Sequence, residues 1–279
     1  MKKPVLNYEE SGLQEHSVFV FLHGFMGNCR SLQAIISSLA ETHHCIAFDL
    51  PGHGASLFHL MDSLKTLESI EDVASLILRD LDAMDIRSFS LYGYSMGGRI
   101  AQNIALLAPE RIERLILESA SFGIEDPEER RQRYIRDQAL LADVRTEKEL
   151  EAFLEEWYRL PLFCTLRDTT CLKAVINGKM GNDVTELRRS LDILSVGNHP
   201  FYAGRLAGLN FPMFYFYGEK DEAYAGTGKN INKWIPAMKA TAFHDASHDI
   251  HSQFPELIIS ALEKITAAGA SGSKGEIST

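Results

Sequence analysis

The sequence predicts an α/β fold, a mostly parallel twisted sheet flanked by helices with an inserted helical cap. Three observations carry this. Short runs that are apolar throughout and rich in β-branched and aromatic residues, such as Val18-Phe19-Val20-Phe21-Leu22 and Met213-Phe214-Tyr215-Phe216-Tyr217, have the length and composition of strands covered on both faces. They alternate with stretches whose apolar residues recur every three or four positions, the βαβ rhythm of a parallel sheet. That rhythm then stops after Ser119. Residues 123 to about 200 carry no convincing strand, and an all-helical insertion in such a chain is most simply a cap over the ligand edge of the sheet. The expected division is a core of residues 1–122 and 201–266, a cap of residues 123–200, and a disordered tail of residues 267–279 that lacks apolar periodicity.

The first strand, Val18 to Leu22, ends in His23-Gly24-Phe25-Met26-Gly27, a glycine-rich loop at a strand's C-terminal end, where open α/β sheets bind ligands. A His-Gly loop at this place donates an oxyanion amide, by position that of Phe25. Leu32 to Leu39 predicts a short helix. Cys45-Ile46-Ala47-Phe48-Asp49 is a second buried strand, stopped by Leu50-Pro51-Gly52-His53-Gly54 because proline and two glycines cannot extend a ladder. From Leu67, the positions Ile70, Val73, Ala74, Ile77, Leu78 and Leu81 mark an amphipathic helix packed on the sheet.

Phe89-Ser90-Leu91-Tyr92 then reads as a strand running into Gly93-Tyr94-Ser95-Met96-Gly97, with a helix predicted over residues 98–107. The pattern is G-x-S-x-G in a strand–turn–helix setting. So sharp a turn forces the serine into unfavourable dihedrals and demands small neighbours where chain and helix pass closely. Ser95 is thereby held out at the start of a helix, where the amide of Met96 faces any oxyanion that forms, aided by the helix dipole. Arg114 to Glu118 is the next strand. Within the insertion, Glu125 to Asp137 and Leu150 to Leu160 read as helices. Beyond it, the strand at Met213 to Tyr217 ends in Gly218-Glu219-Lys220-Asp221. Thr241-Ala242-Phe243 leads to Asp245-Ala246-Ser247-His248, and Phe254 to Ile265 closes the fold as an amphipathic helix.

Composition excludes several functions. A chain of 279 residues with 45% hydrophobic content can bury a sizeable core. With 28 Lys and Arg against 38 Asp and Glu, the net charge of -10 argues against a nucleic-acid or anionic-membrane partner. Cys29, Cys45, Cys164 and Cys171 have neither metal-type spacing nor a disulfide framework and are expected to be reduced thiols of a cytoplasmic protein. No signal-type apolar segment follows Lys2 and Lys3, and no apolar run is long enough to span a bilayer.

A serine hydroxyl is a poor base and nucleophile until a histidine takes its proton and a carboxylate fixes that histidine's tautomer. Asp221 follows Tyr217 by four residues and His248 follows Phe243 by five, each just past a late strand. His244 and His251 compete with His248, but His248 alone lies in the small-residue loop before the last helix. The His-x-x-His spacing of His248 and His251 would suit a metal, yet no third ligand stands at a sensible distance in sequence; neither metal nor cofactor is expected.

Over residues 15–265 the chain resembles α/β-hydrolase-fold proteins, which share the His-Gly loop, the serine elbow and the acid-before-histidine order. More narrowly it resembles the 2-succinyl-6-hydroxy-2,4-cyclohexadiene-1-carboxylate synthases of the menaquinone pathway. That match rests on Gly93-Tyr94-Ser95-Met96-Gly97-Gly98-Arg99, on Arg133 four residues before Asp137, on Trp157-Tyr158-Arg159-Leu160-Pro161-Leu162-Phe163, on Gly218-Glu219-Lys220-Asp221 and on His248-Asp249-Ile250-His251. The resemblance implies a lyase. In such enzymes the triad removes a proton α to a succinyl ketone, pyruvate is eliminated, and the oxyanion hole holds the enolate.

A polycarboxylate substrate of this kind needs cations in the pocket. The resemblance assigns that role to Arg99, one helical turn past Ser95, to Arg133 from the cap, and to Lys179 where the family carries an arginine; Tyr94 and Trp157 would line the site. Lysine keeps the charge but loses the bidentate fork. Two further departures are Ser247 in place of the usual glycine and Ala223 in place of lysine. The triad alone does not separate the lyase from a carboxylic-ester hydrolase that uses Ser95 as nucleophile, but a pocket for neutral esters has no use for converging cations. A non-catalytic ligand receptor on the same scaffold need not keep all three triad members.

Overall fold

The structure is a computed structural model that describes residues 3–167 and 169–270. In the core, β1 (Tyr8–Ser11), β2 (Val18–Leu22), α1 (Gln33–Leu39), β3 (His44–Phe48), α2 (Asp62–Lys65), α3 (Ile70–Ala83), β4 (Phe89–Tyr94), α4 (Met96–Leu107) and β5 (Ile112–Glu118) follow in order. The insertion carries α5 (Pro127–Ala139), α6 (Glu147–Trp157), α7 (Leu172–Asn177) and α8 (Val184–Leu194). The chain then returns through α9 (Ala203–Leu206), β6 (Met213–Gly218), α10 (Glu222–Trp234), β7 (Lys239–Phe243), α11 (Ile250–Gln253) and α12 (Pro255–Ala270).

The strands form one seven-stranded sheet in the order β1-β3-β2-β4-β5-β6-β7. Every pairing is parallel except that of β1, which runs antiparallel to β3 along the edge. Strand alternation divides the core. Val20, Leu22, Ile46, Phe48, Leu91, Leu115 and Leu117 point to the face covered by α3 and α4, whereas Phe19, Phe21, Cys45, Tyr92, Ile116 and Phe216 pack toward α1 and α12. Helix α3 starts in a capping box between Ser69 and Asp72 and buries the stripe Ile70, Val73, Ala74, Ile77 and Leu81.

The insertion leaves and rejoins the core at one neck, where Ile124 and Pro200 form an isolated parallel bridge. Gly123 makes the turn with φ +94, and a Cβ there would stand 2.1 Å from the Pro200 carbonyl oxygen, so only glycine fits. The cap has its own apolar cluster, including Leu141, Leu150, Leu154, Tyr158, Phe163, Leu187 and Leu191, and Met26 of the core reaches into it. Hydrogen bonds tie cap to core at several places, three of them beside the sheet's C-terminal edge. Glu186 accepts from the backbone of Phe58 and, at 3.2 Å, of His59; Asn182 donates to the Met26 carbonyl at 2.8 Å; the His248 N–H donates to the Leu162 carbonyl at 3.1 Å.

The structure departs from the sequence reading at several elements. β1 is an edge strand whose residues are only partly buried, so it lacks the continuous apolar run of the others. α10 contains Gly226 and Gly228, which disguise a helix; Gly228 is required because a Cβ there would lie 2.2 Å from the Tyr217 ring. α12 continues to Ala270, so residues 267–270, read as part of a structureless tail, are helical, as alanine favours; the rest of that tail, 271–279, lies outside the described residues. Among the described residues no helix is long and apolar enough to cross a membrane.

Candidate active site

β4 and α4 are joined by the single residue Ser95, at φ 50 and ψ -107, a conformation that residues other than glycine seldom adopt. What imposes it is the closeness of its surroundings. A Cβ on Gly97 would lie 2.3 Å from the Leu22 carbonyl oxygen, and one on Gly93 would lie 2.6 Å from that of Gly97, so strand and helix pass at backbone contact. The Ser95 N–H donates to the Glu118 carbonyl at 2.8 Å, fixing the turn to the end of β5.

The loops after β6 and β7 bring the other two groups to the serine. The Ser95 hydroxyl lies 2.9 Å from His248 Nε2, and His248 Nδ1 lies 2.8 Å from Asp221 Oδ2. A carboxylate accepts only, so Nδ1 carries the hydrogen and Nε2 presents its lone pair to the Ser95 O–H. The buried Asp221 uses its other oxygen to accept the Tyr224 N–H at 3.3 Å, capping α10; one side chain thus fixes both the helix and the histidine tautomer. The backbone N–H groups of Phe25 and Met96 have no protein acceptor among the described residues. Met96 is the first residue of α4, where such donors are free to meet an oxyanion.

The loop bearing Phe25 is itself held by a buried histidine. His23 Nδ1 donates to the Gly24 carbonyl at 2.7 Å and Nε2 accepts the Leu50 N–H at 3.0 Å, an arrangement only the neutral ring can make. Burial brings its pKa down to about 3. His53 packs beside it at 5.1 Å between ring centres and is likewise brought down to about 3, by burial first.

Ser95 and His248 open into a cavity of about 260 Å³ roofed by the cap, and Arg99, Arg133 and Lys179 line the same cavity. Arg99, on α4, donates from Nη1 to the Leu194 carbonyl at 2.6 Å and to His199 Nδ1 at 2.8 Å. Burial pushes its pKa down to about 10, still protonated at neutral pH. Arg133 Nε meets Asp137 Oδ1 at 2.8 Å one turn along α5, and Asp137 Oδ2 accepts from the Ser195 hydroxyl at 2.6 Å. Lys179 follows α7; burial lowers its pKa while Asp249 opposes the shift. Trp157 closes one wall against Phe25, with ring centres 6.3 Å apart. Tyr94 lines another and packs between Gly24 and the imidazoles of His248 and His251.

Nine of the ten residues read from the sequence as site candidates line this cavity, and the tenth, Asp221, stands behind His248. The rival histidines do not reach the serine. His244 is exposed beside Asp245, and His251 is buried with Nδ1 2.9 Å from Glu118 Oε2. Glu118 also accepts from the Tyr92 hydroxyl and from the N–H groups of Ile250 and His251, which pins the chain just after His248. Sequence reasoning missed Tyr158, Phe163, Asp137, Ser195 and Tyr224, all lining the cavity. For Tyr224 a signal existed: it stands three residues after Asp221, the position whose N–H an N-capping aspartate accepts.

Known proteins agree with this architecture. Residues 17–255 match the alpha/beta hydrolase fold family. A Bacillus subtilis (strain 168) protein assigned as a 2-succinyl-6-hydroxy-2,4-cyclohexadiene-1-carboxylate synthase is 30% identical over 251 residues, 89% of each chain. The synthase of that name from Escherichia coli O1:K1 / APEC is 29% identical over 246 residues, 88% of this chain and 92% of that one. The structure of MenH from S. aureus superposes with a TM-score of 0.83 at 27% identity, covering 93% of this chain and 96% of that one. The chain is an enzyme of the alpha/beta hydrolase fold family, and the relatives it matches over most of its length carry the name 2-succinyl-6-hydroxy-2,4-cyclohexadiene-1-carboxylate synthase.

Proposed function

We propose that the enzyme is a lyase that eliminates pyruvate from 2-succinyl-5-enolpyruvyl-6-hydroxy-3-cyclohexene-1-carboxylate, the reaction that yields the product in its relatives' name. The observation that carries the reading is the convergence of Arg99, Arg133 and Lys179 on the cavity that holds Ser95 and His248. Three cations in an enclosed site match a substrate with several carboxylates and would be a burden to a neutral one. The names of the relatives support the same substrate.

The chemistry follows from the hydrogen bonds. His248 draws the proton of the Ser95 hydroxyl, and Ser95 Oγ removes the proton α to the succinyl carbonyl. The C–H electron pair becomes the double bond of an enolate, whose oxygen accepts from the N–H groups of Phe25 and Met96. Collapse of the enolate forms a double bond between C2 and C3 of the ring, moves the existing C3–C4 double bond to C4–C5, and breaks the bond from C5 to the enolpyruvyl oxygen. Pyruvate leaves as its enolate, the imidazolium of His248 restores a proton, and ketonisation completes the product. Asp221 keeps the imidazole in the required tautomer throughout. Tyr94 and Trp157 supply walls that exclude water. The four cysteines are free thiols, which supports a cytoplasmic setting.

Pyruvate release from the enolpyruvyl substrate, followed with lactate dehydrogenase and NADH and run beside p-nitrophenyl acetate hydrolysis, tests the proposal. Rapid pyruvate formation with negligible ester turnover is expected; efficient ester hydrolysis without pyruvate would turn the reading to a carboxylic-ester hydrolase.

A further inference from the structure

The Arg99 guanidinium is fixed at one nitrogen only. Both hydrogens of Nη1 are used, one toward the Leu194 carbonyl at 2.6 Å and one toward His199 Nδ1 at 2.8 Å. Among the described residues its Nε and Nη2 hydrogens have no protein acceptor, and Arg99 lines the cavity. The edge left for a ligand is therefore the Nε–Nη2 edge, whose two parallel N–H bonds match the two oxygens of a carboxylate.

His199 can accept from Arg99 only as a neutral ring with its lone pair on Nδ1 and its hydrogen on Nε2. The ring is 1% exposed and lies against Tyr202, with centres 6.4 Å apart and planes at 29°. Burial, then the adjacent guanidinium, holds its pKa well below the ordinary histidine value. Its Nε2 has no partner among the described residues, so the one polar contact this side chain makes is the one to Arg99. A buried polar ring with a single bond is costly to retain for stability alone.

We propose that His199 is a positioning residue that determines specificity for carboxylate substrates. With the Leu194 carbonyl it locks one end of Arg99 and turns the Nε–Nη2 edge to the cavity, although His199 does not itself line that cavity. This rests on the proposed function, in which Arg99 binds a substrate carboxylate.

The test compares pyruvate release by the parent, His199→Phe, His199→Asn, Arg99→Ala and the double variant Arg99→Ala/His199→Phe. Phenylalanine keeps a ring against Tyr202 and removes the acceptor; asparagine sets an amide oxygen close to the place of Nδ1. His199→Phe should lower kcat/KM by about tenfold to a hundredfold, the range of a lost hydrogen bond to a charged group, through KM more than kcat. His199→Asn should return it to within about threefold of the parent, and His199→Phe should have no further effect once Arg99 is alanine. A structural role would instead reduce activity equally in both backgrounds, and that result, or a parent-like KM in His199→Phe, overturns the inference. Should the phenylalanine variant fail to fold, His199→Leu serves the same comparison with less bulk. A parent enzyme that releases no pyruvate sinks the function reading, and this inference with it, before any variant is compared; an active parent indifferent to the loss of the His199 acceptor sinks this inference alone.

Discussion

Asp221→Asn probes the site most sharply, because Asp221 serves two donors at once. Its Oδ2 accepts from His248 Nδ1 at 2.8 Å and its Oδ1 from the Tyr224 N–H at 3.3 Å. Asparagine has one acceptor oxygen and one donor amide, so it cannot satisfy both. If the oxygen stays on the cap of α10, the amide faces His248 Nδ1 and forces the hydrogen to Nε2, where it confronts the Ser95 hydroxyl and removes the base. If the amide flips, the cap is lost while the tautomer survives. Tautomer inversion of this kind costs about 10⁴ in kcat, or ~5.5 kcal/mol of transition-state stabilisation. The cap alternative would cost about 1 kcal/mol of stability with little change in rate. The assay is pyruvate release at saturating substrate with the unfolding midpoint measured on the same preparation. A drop of about four decades at nearly unchanged stability is expected; a kcat within about tenfold of the parent would mean that the Asp221–His248 bond does not govern the chemistry.

Ser95→Ala should lower pyruvate release by about three decades or more while substrate still binds, as measured by calorimetry; turnover near that of the parent would remove Ser95 from the mechanism. Arg133→Ala should raise KM by more than about tenfold, because it removes a cation and also leaves the buried Asp137 facing the substrate with only Ser195 as partner. Adding Asp137→Asn to that variant should recover part of the loss, and no recovery would show that Asp137 does not face the ligand. Stability should fall as pH drops below 6.5: His23 and His53 are brought down to about 3, so the unfolded chain binds their protons first and the native advantage persists only above that window. At pH 5 each contributes a loss of about 2 kcal/mol. His251, which Asp249 and Glu118 hold above its ordinary value despite burial, opposes them, while His199 and His43, held below theirs by burial, act in the same direction as His23 and His53. Urea unfolding at pH 7.5 and pH 5 measures the balance; equal stabilities would contradict it.

What the sequence made legible was set by how local each signal is. The central strands are buried on both faces and so read as unbroken apolar runs, whereas β1 is half exposed and carries no such run. Within the insertion read as all-helical, α8 was not delimited although Asp183 caps it, because polar Glu186 and Ser190 share its buried face with Leu187, Leu191 and Leu194. The triad was readable since each member sits a fixed few residues past a strand, and a parallel sheet aligns those ends without further information. Asp137 as the partner of Ser195, and His199 as that of Arg99, were not readable, because each gains its role from a residue 58 and 100 positions away, respectively. Nothing in either residue's own neighbourhood announces the contact.

The same hydroxyl, 2.9 Å from its histidine, can attack a carbonyl carbon or remove a proton, so the surrounding charge decides which reaction is productive. Arg99 has already lost most of its water, and that burial is what lowers its pKa. Leu194 and His199 return two hydrogen bonds but no negative charge. A neutral ester would complete the desolvation without compensating it, whereas a carboxylate on the free Nε–Nη2 edge supplies both charge and two hydrogen bonds. Arg133 differs, because Asp137 already balances its charge; it can bind an anion while keeping that partner. Of the two arginines in the cavity one is pre-neutralised and the other is not, and between them selection against uncharged substrates falls chiefly on Arg99.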